Sequence, residues 1–322
     1  MTTKCPREHC YAPDVACIRG IQPLSACEDW NGIPHSPEQD NQLEADQLLP
    51  WSGNSLGTID LQYVAARSLP TVIGVVGLHN AGKTTLLTMI YLSLLAGLQL
   101  PGRLFAGSIT LGGWENLAGP LRWRASDSPT FPPHTSSSSS RMPGLLHLAF
   151  RNRVGQLRDV LFTDAPGEWF GRWATERNAA DAEGARWVSH HAGAFMIFAD
   201  CDALSGPKRG EARRRFQDLA ERLAGDVGER KVALVWSKAD LKEKVPSGIQ
   251  VAVRKQCAQS FPGYAEFSVS VPPSRTKGPV TDTVYLGLVD WLVELPAKAE
   301  KLVLHPSVIS SDDPFFAFQG RM

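Results

Sequence analysis

From Thr71 onward, short apolar runs alternate with longer stretches of helical period, the pattern of a parallel sheet covered by helices on both faces. The runs Val72–Val76, Leu145–Phe150, Asp159–Thr163, Ala194–Ala199, Val232–Trp236 and Phe267–Val271 predict strands. Between and after them, Lys83–Leu98, Ala174–Ser189, Gly210–Leu223, Ile249–Ser260 and Thr283–Leu295 predict helices. The second and third strands are joined by a short turn containing Arg, Asn and Gly, which predicts a hairpin. The expected fold is therefore an α/β three-layer sandwich, with one antiparallel edge strand on an otherwise parallel sheet.

Outside this region the pattern fades. Residues 1–40 are rich in Cys, Pro and charge and show no clean period. Residues 41–70 read as a linker carrying a short helix near Leu56–Ser68, residues 71–300 as the main domain, and 301–322 as a loose tail. Within the domain, Ser126–Met142 combines prolines with a serine run from which no core can be built. It reads either as a flexible linker or as a mobile switch segment. In the tail, Asp312–Phe318 carries three Phe that would need a docking place on this domain or on a partner.

Charge and length narrow the classes. Lys plus Arg (33) balances Asp plus Glu (33), which argues against a broad electrostatic grip on nucleic acid or anionic membrane. The most apolar stretch, Leu86–Leu100, is shorter than the roughly 20 residues a membrane span needs and contains Thr, Ser, Gly and Gln. The start lacks the apolar run of a signal peptide, so a cytoplasmic location is expected.

Four cysteines, Cys5, Cys10, Cys17 and Cys27, crowd the N-terminus, whereas Cys201 and Cys257 lie alone. In a reducing compartment such a cluster reads as a structural Zn²⁺ site more readily than as disulfides, with His9 and His35 as substitute ligands. Free or redox-active thiols are the other reading.

The strongest chemical signal is Gly77-Leu78-His79-Asn80-Ala81-Gly82-Lys83-Thr84, a GxxxxGK[ST] loop with a strand before it and a helix after it. Its glycines let backbone N–H groups converge on a phosphate, and the following helix presents its positive end. Lys83 is placed to reach β- and γ-oxygens, and the Thr84 hydroxyl to ligate Mg²⁺, with Thr85 beside it. Further on, Asp164-Ala165-Pro166-Gly167-Glu168 ends an apolar strand. Asp164 is placed to hold Mg²⁺ opposite Thr84, and the Gly167 N–H to sense the γ-phosphate. Then Ser237-Lys238-Ala239-Asp240 follows another strand. An Asp there can accept two hydrogen bonds from guanine, and adenine offers neither donor on that edge. The Lys238 stem is expected over the base.

Together GLHNAGKT, DAPGE and SKAD resemble the sequential motifs of TRAFAC-class P-loop GTPases, over roughly Thr71 to Leu295. More narrowly, NAGKTTLL, FPPHTS, LLHLAF, TDAPGEWF and WSKAD, with the Cys-rich start, resemble the bacterial double-GTPase families of predicted conflict and defence systems. The resemblance implies a Ras-like domain that binds GTP and GDP and works as a switch with a second GTPase or an effector. It implies that Lys238 and Asp240 read guanine and that Ser268-Val269-Ser270 meets the base oxygen. Ser237 departs from the usual Asn or Thr, which would loosen guanine preference.

Glu168 stands where Ras-like proteins use Gln to orient water. An ionised carboxylate cannot donate to the γ-phosphate, so either slow intrinsic turnover or a different residue orienting the water is expected. Asn80 matches a position that helps hold K⁺ in some GTPases, or it simply tolerates the loop's backbone. Arg141 and Arg172 are the alternative cations. Thr135 is the first candidate for the switch threonine on Mg²⁺, Thr130 the second, with His134 nearby. Trp169, Phe170 and Trp173 read as a partner face or as internal packing. An ATP-driven P-loop enzyme and a nucleotide-stabilised scaffold are the competing functions.

Overall fold

The computed structural model describes residues 5, 7–10, 12, 17–31, 54–65, 70–121, 142–271 and 283–294, and for Asn31 and Tyr63 the backbone alone. Thr130, His134, Thr135, Arg141, nearly all of the Ser126–Met142 segment and the whole tail lie outside them.

The described strands form one seven-stranded sheet in the order β2-β3-β4-β1-β5-β6-β7. They are β1 (Thr71–Val76), β2 (Arg103–Gly107), β3 (Gly144–Asn152), β4 (Leu157–Asp164), β5 (Ala194–Asp200), β6 (Lys231–Ser237) and β7 (Ala265–Ser268). β4, β1, β5, β6 and β7 run parallel. The expected hairpin is present, with Leu145 opposite Thr163 and Leu148 opposite Val160. The antiparallel edge is two strands wide, however, because β2 pairs outside β3. Sequence reading passed over β2 because its apolar residues face outward: Leu104 and Phe105 are exposed.

Among the described residues seven principal helices complete the layers: α1 (Lys83–Leu95), α2 (Leu111–Ala118), α3 (Gly167–Thr175), α4 (Glu183–His191), α5 (Arg209–Val227), α6 (Ser247–Ser260) and α7 (Val284–Val293). One face of the sheet buries Phe170, Trp173, Val188, Phe216, Leu219, Leu223 and Val253 from α3 to α6. The opposite face buries Leu87, Ile90, Trp114, Tyr285 and Val289 from α1, α2 and α7. Strands buried on both sides explain the near-continuous apolar runs of β1, β5 and β6. The single helix predicted over Ala174–Ser189 is two. The chain leaves α3 at Glu176, and Arg186 holds the intervening turn through the Arg177 and Ala179 carbonyls.

Trp169, Phe170 and Trp173 are all buried in the core, so the partner-face reading is corrected to internal packing. A buried pair that no motif announced fixes the approach to α2. Ile109 N–H donates to His147 Nδ1 at 3.1 Å, which places the ring proton on Nε2, 2.8 Å from Asp159 Oδ1. Among the described residues no helix is long and apolar enough to cross a membrane.

Cys5, Cys10, Cys17 and Cys27 are free and buried, and the first three pack with Ala12 beneath Ile21, Leu24 and Trp30. Among the described residues no group of three or more His, Cys, Asp or Glu side chains is placed to hold a metal ion. The expected zinc site is therefore not shown. Backbone N–H groups of Ala12 and Ile18 point at the Cys10 sulfur and hold that thiol below its ordinary pKa.

Candidate functional site

The order of the sheet reverses at β1, whose neighbours β4 and β5 lie on opposite sides. Ligands of open α/β sheets bind at such a switch point, beyond the carboxyl ends of the strands. Here the loops after β1, β4, β6 and β7 enclose a cavity of about 760 Å³.

The loop after β1 supplies its floor. His79, Asn80, Ala81, Gly82, Lys83, Thr84 and Thr85 all line the cavity. The turn needs two left-handed residues, and Asn80 (φ +59°) and Gly82 (φ +79°) supply them. The left-handed backbone is one reason for an Asn at 80. α1 starts directly after Gly82 with no side-chain cap, so its first N–H groups are left for a ligand.

Lys83 is buried, and its Nζ donates to the Leu78 carbonyl at 3.1 Å. Burial pushes its pKa down to about 8, although Asp164 and Glu168 pull it upward. Thr84 Oγ1 lies 3.5 Å from Asp164 Oδ1, so a hydroxyl and a carboxylate converge from the two loops. This pair has the hard oxygen donors that Mg²⁺ prefers.

The β4 loop closes over this floor. Gly167 opens α3 so close to the phosphate loop that a Cβ would lie 2.3 Å from His79 N and 2.4 Å from Leu78 C. Glu168 follows in the first turn, and its Oε1 is 2.6 Å from His79 Nδ1. Arg172 points elsewhere, bound to Glu176 at 2.8 Å and Asp181 at 3.5 Å.

The far end is built from the β6 and β7 loops. Asp240 and Lys238 line it. Lys238 has φ +50°, and its Nζ is held by Asp200 at 2.9 Å and Asp202 at 3.4 Å. Ser237 is buried, lines the cavity near Gly82, and its Oγ has no hydrogen-bond partner among the described atoms. A buried orphan hydroxyl facing a cavity is a place where a ligand atom recovers a desolvation cost.

Val269 lines the cavity but Ser268 does not: its Oγ accepts from Lys242 Nζ at 2.8 Å, outside the pocket. The Val269 N–H is itself used by the Trp236 carbonyl at 2.9 Å, and its carbonyl accepts from Ala239. Ser270 and Val271 continue the wall, and Tyr285 of α7 pins it by donating to the Ser270 carbonyl. Ser270 belongs to the loop that the sequence already placed at the base, whereas Tyr285, Asp200 and Asp202 were missed. Their only signal was spatial.

A phosphate loop at the switch point of a parallel sheet defines the class of P-loop nucleotide-binding proteins. The chain belongs to the Double-GTPase 2 family, whose profile matches residues 71–292. No curated protein matches it. Among solved structures it is similar to the S. cerevisiae Ski7 GTPase-like domain bound to GTP, at 14% identity over 72% of this chain, with a TM-score of 0.40. It is also similar to a GTP-binding protein of Sulfolobus solfataricus in complex with GDP, at 13% identity over 65% of this chain and a TM-score of 0.30. A third is Era in complex with MgGDPNP and part of 16S ribosomal RNA, at 16% identity over 62% of this chain and a TM-score of 0.31. This chain spans 51%, 50% and 50% of those chains respectively.

Proposed function

We propose that the chain binds GTP with Mg²⁺, hydrolyses it slowly on its own, and works as a switch read by a second GTPase or an effector. The bacterial conflict or defence setting is part of this proposal and rests on the motif resemblance of the sequence. One observation carries it: the phosphate loop, the first turn of α3 and Asp240 face a single cavity.

Lys83 and the first N–H groups of α1 suit the β- and γ-phosphates, and the Gly167 N–H suits the γ-phosphate. Thr84 and Asp164 would hold Mg²⁺, which when bound neutralises charge on the phosphate oxygens. Asp240 accepts from guanine, with the Lys238 stem fixed beside it by Asp200 and Asp202. Ser237 Oγ and the Ser270 N–H, in place of Ser268, are the further donors at the base end.

Release of inorganic phosphate from GTP and from ATP tests this directly, first in K⁺ and then in Na⁺, the exchange that reads a role for Asn80. Turnover of GTP well above ATP is expected. Equal turnover of both would favour an ATP-driven enzyme, and no turnover of either a scaffold.

Zinc at the N-terminal cysteines is a separate part of the proposal, supported by their shared burial and the N–H groups aimed at Cys10. Metal analysis is expected to find about one Zn²⁺ per chain, lost in Cys10→Ser. A folded, metal-free wild type contradicts it.

A further inference from the structure

A free carboxylate beside a triphosphate repels it and has no fixed aim, so Glu168 alone is a poor group for orienting water. The structure gives Glu168 a partner. His79 Nδ1 lies 2.6 Å from Glu168 Oε1, and because a carboxylate only accepts, the ring nitrogen carries the proton and donates. The contact ties the phosphate loop to the first turn of α3, next to the tight approach of Gly167 to His79 N.

Stability does not explain this pair. The two side chains are 56% and 51% exposed, and an ion pair so open to water contributes little to folding. Its position is more telling. The pair stands on the wall shared by the nucleotide cavity and a second cavity of about 860 Å³ that extends between α3 and α5. Water therefore has access from the side away from the nucleotide.

We infer that His79 is the positioning residue for GTP hydrolysis: it occupies Oε1 of Glu168 and leaves Oε2 fixed toward the attacking water. The inference deepens the hydrolysis proposed above and rests on it. The water oxygen bonds to the γ-phosphorus while the bond from that phosphorus to the β–γ bridging oxygen breaks. The bridging oxygen keeps the electron pair and leaves on GDP. One water proton passes to Glu168 and then to the released phosphate. His79 needs only its Nδ1–H for this role, whatever the charge of the ring. It follows the general logic in which a base is held in aim by a third group.

The other charges nearby are committed elsewhere. Lys83 Nζ binds the Leu78 carbonyl, Arg172 binds Glu176 and Asp181, and Asp202 holds Lys238. Asp164 faces Thr84.

The test uses the full chain, with GTP affinity measured by a fluorescent analogue and hydrolysis by single-turnover phosphate release. Glu168→Gln is expected to slow hydrolysis by about a hundredfold, the usual scale for losing a general base. His79→Ala is expected to slow it about tenfold, with GTP affinity within about twofold of wild type. His79→Asn should recover most of the rate, because the Asn Nδ2 amide takes nearly the place of the imidazole Nδ1. His79→Ala combined with Glu168→Gln should be no slower than Glu168→Gln alone, the signature of residues acting as a unit.

Wild-type rates in His79→Ala, no recovery in His79→Asn, or additive losses in the double variant would each overturn the inference while GTP binding stands. A wild type that binds no GTP would instead overturn the reading on which it rests.

Discussion

Replacing Gly167 with alanine is expected to slow GTP hydrolysis by about a hundredfold, the scale seen when one preorganised N–H donor is displaced from a developing charge. The cause is steric. An added Cβ meets His79 N at 2.3 Å and the Leu78 carbonyl carbon and oxygen at 2.4 and 2.5 Å. These are backbone atoms of the phosphate loop and cannot swing aside as a side chain tip would. α3 must lift, carrying the residue 167 N–H and Glu168 away from the γ-phosphate position. Overpacking of this kind costs about 1–3 kcal/mol, so melting should fall by several degrees. GDP makes no demand on the Gly167 N–H, and its affinity should stay near that of wild type. Wild-type hydrolysis together with unchanged melting would show that α3 does not seat on the phosphate loop.

Lys83→Met is expected to separate stability from binding. Lys83 is a buried cation whose pKa is pushed down to about 8. A lysine so depressed binds fewer protons in the folded than in the unfolded chain between about pH 8 and its ordinary value of about 10.5. Its penalty is complete below pH 8 and relieved as pH rises through that window. The full shift corresponds to about 3 kcal/mol. Wild-type stability without nucleotide or Mg²⁺ should thus gain from this group between pH 8 and 10. Lys83→Met removes the gain and melts higher at pH 7. The same substitution removes charge-assisted bonds to the phosphates, each worth about 1.5–3 kcal/mol, so GTP affinity should fall at least about a hundredfold. A variant that melts lower and still binds GTP would mean that Lys83 serves the fold rather than the phosphates.

What could be read in the chain followed from spacing along it. The phosphate loop, Asp164, Gly167 and Asp240 each sit at the end of an apolar run, and those runs are the parallel strands whose carboxyl ends face one cavity. Where burial and local sequence disagree, the reading failed. β2 presents Leu104 and Phe105 to solvent, so no alternation pointed inward. β7 starts two residues and ends three residues before the apolar run Phe267–Val271, because Val269 is apolar but leaves the strand to bond Trp236 and Ala239. Ser268 was expected at the base from the motif resemblance, but it ends β7 and its hydroxyl accepts from Lys242, outside the cavity lining. The partners of Lys238 and Glu168 come from distant or separately folded segments, and no local pattern encodes them. Trp169, Phe170 and Trp173 follow the site directly in sequence, yet the turn of α3 aims them into the core.

The central claim is that the cavity reads guanine through Asp240, and equilibrium binding of GTP, ATP and xanthosine triphosphate in Mg²⁺ tests it most directly. Wild type should prefer GTP over ATP by at least about a hundredfold, the scale of leaving the Asp240 carboxylate unpaired against a bound base that covers it. Asp240→Asn should lose that preference and gain affinity for the xanthosine nucleotide, whose carbonyl accepts from the new amide. Equal binding of GTP and ATP by wild type, unchanged in Asp240→Asn, would contradict the account and leave a phosphate loop without a guanine reader.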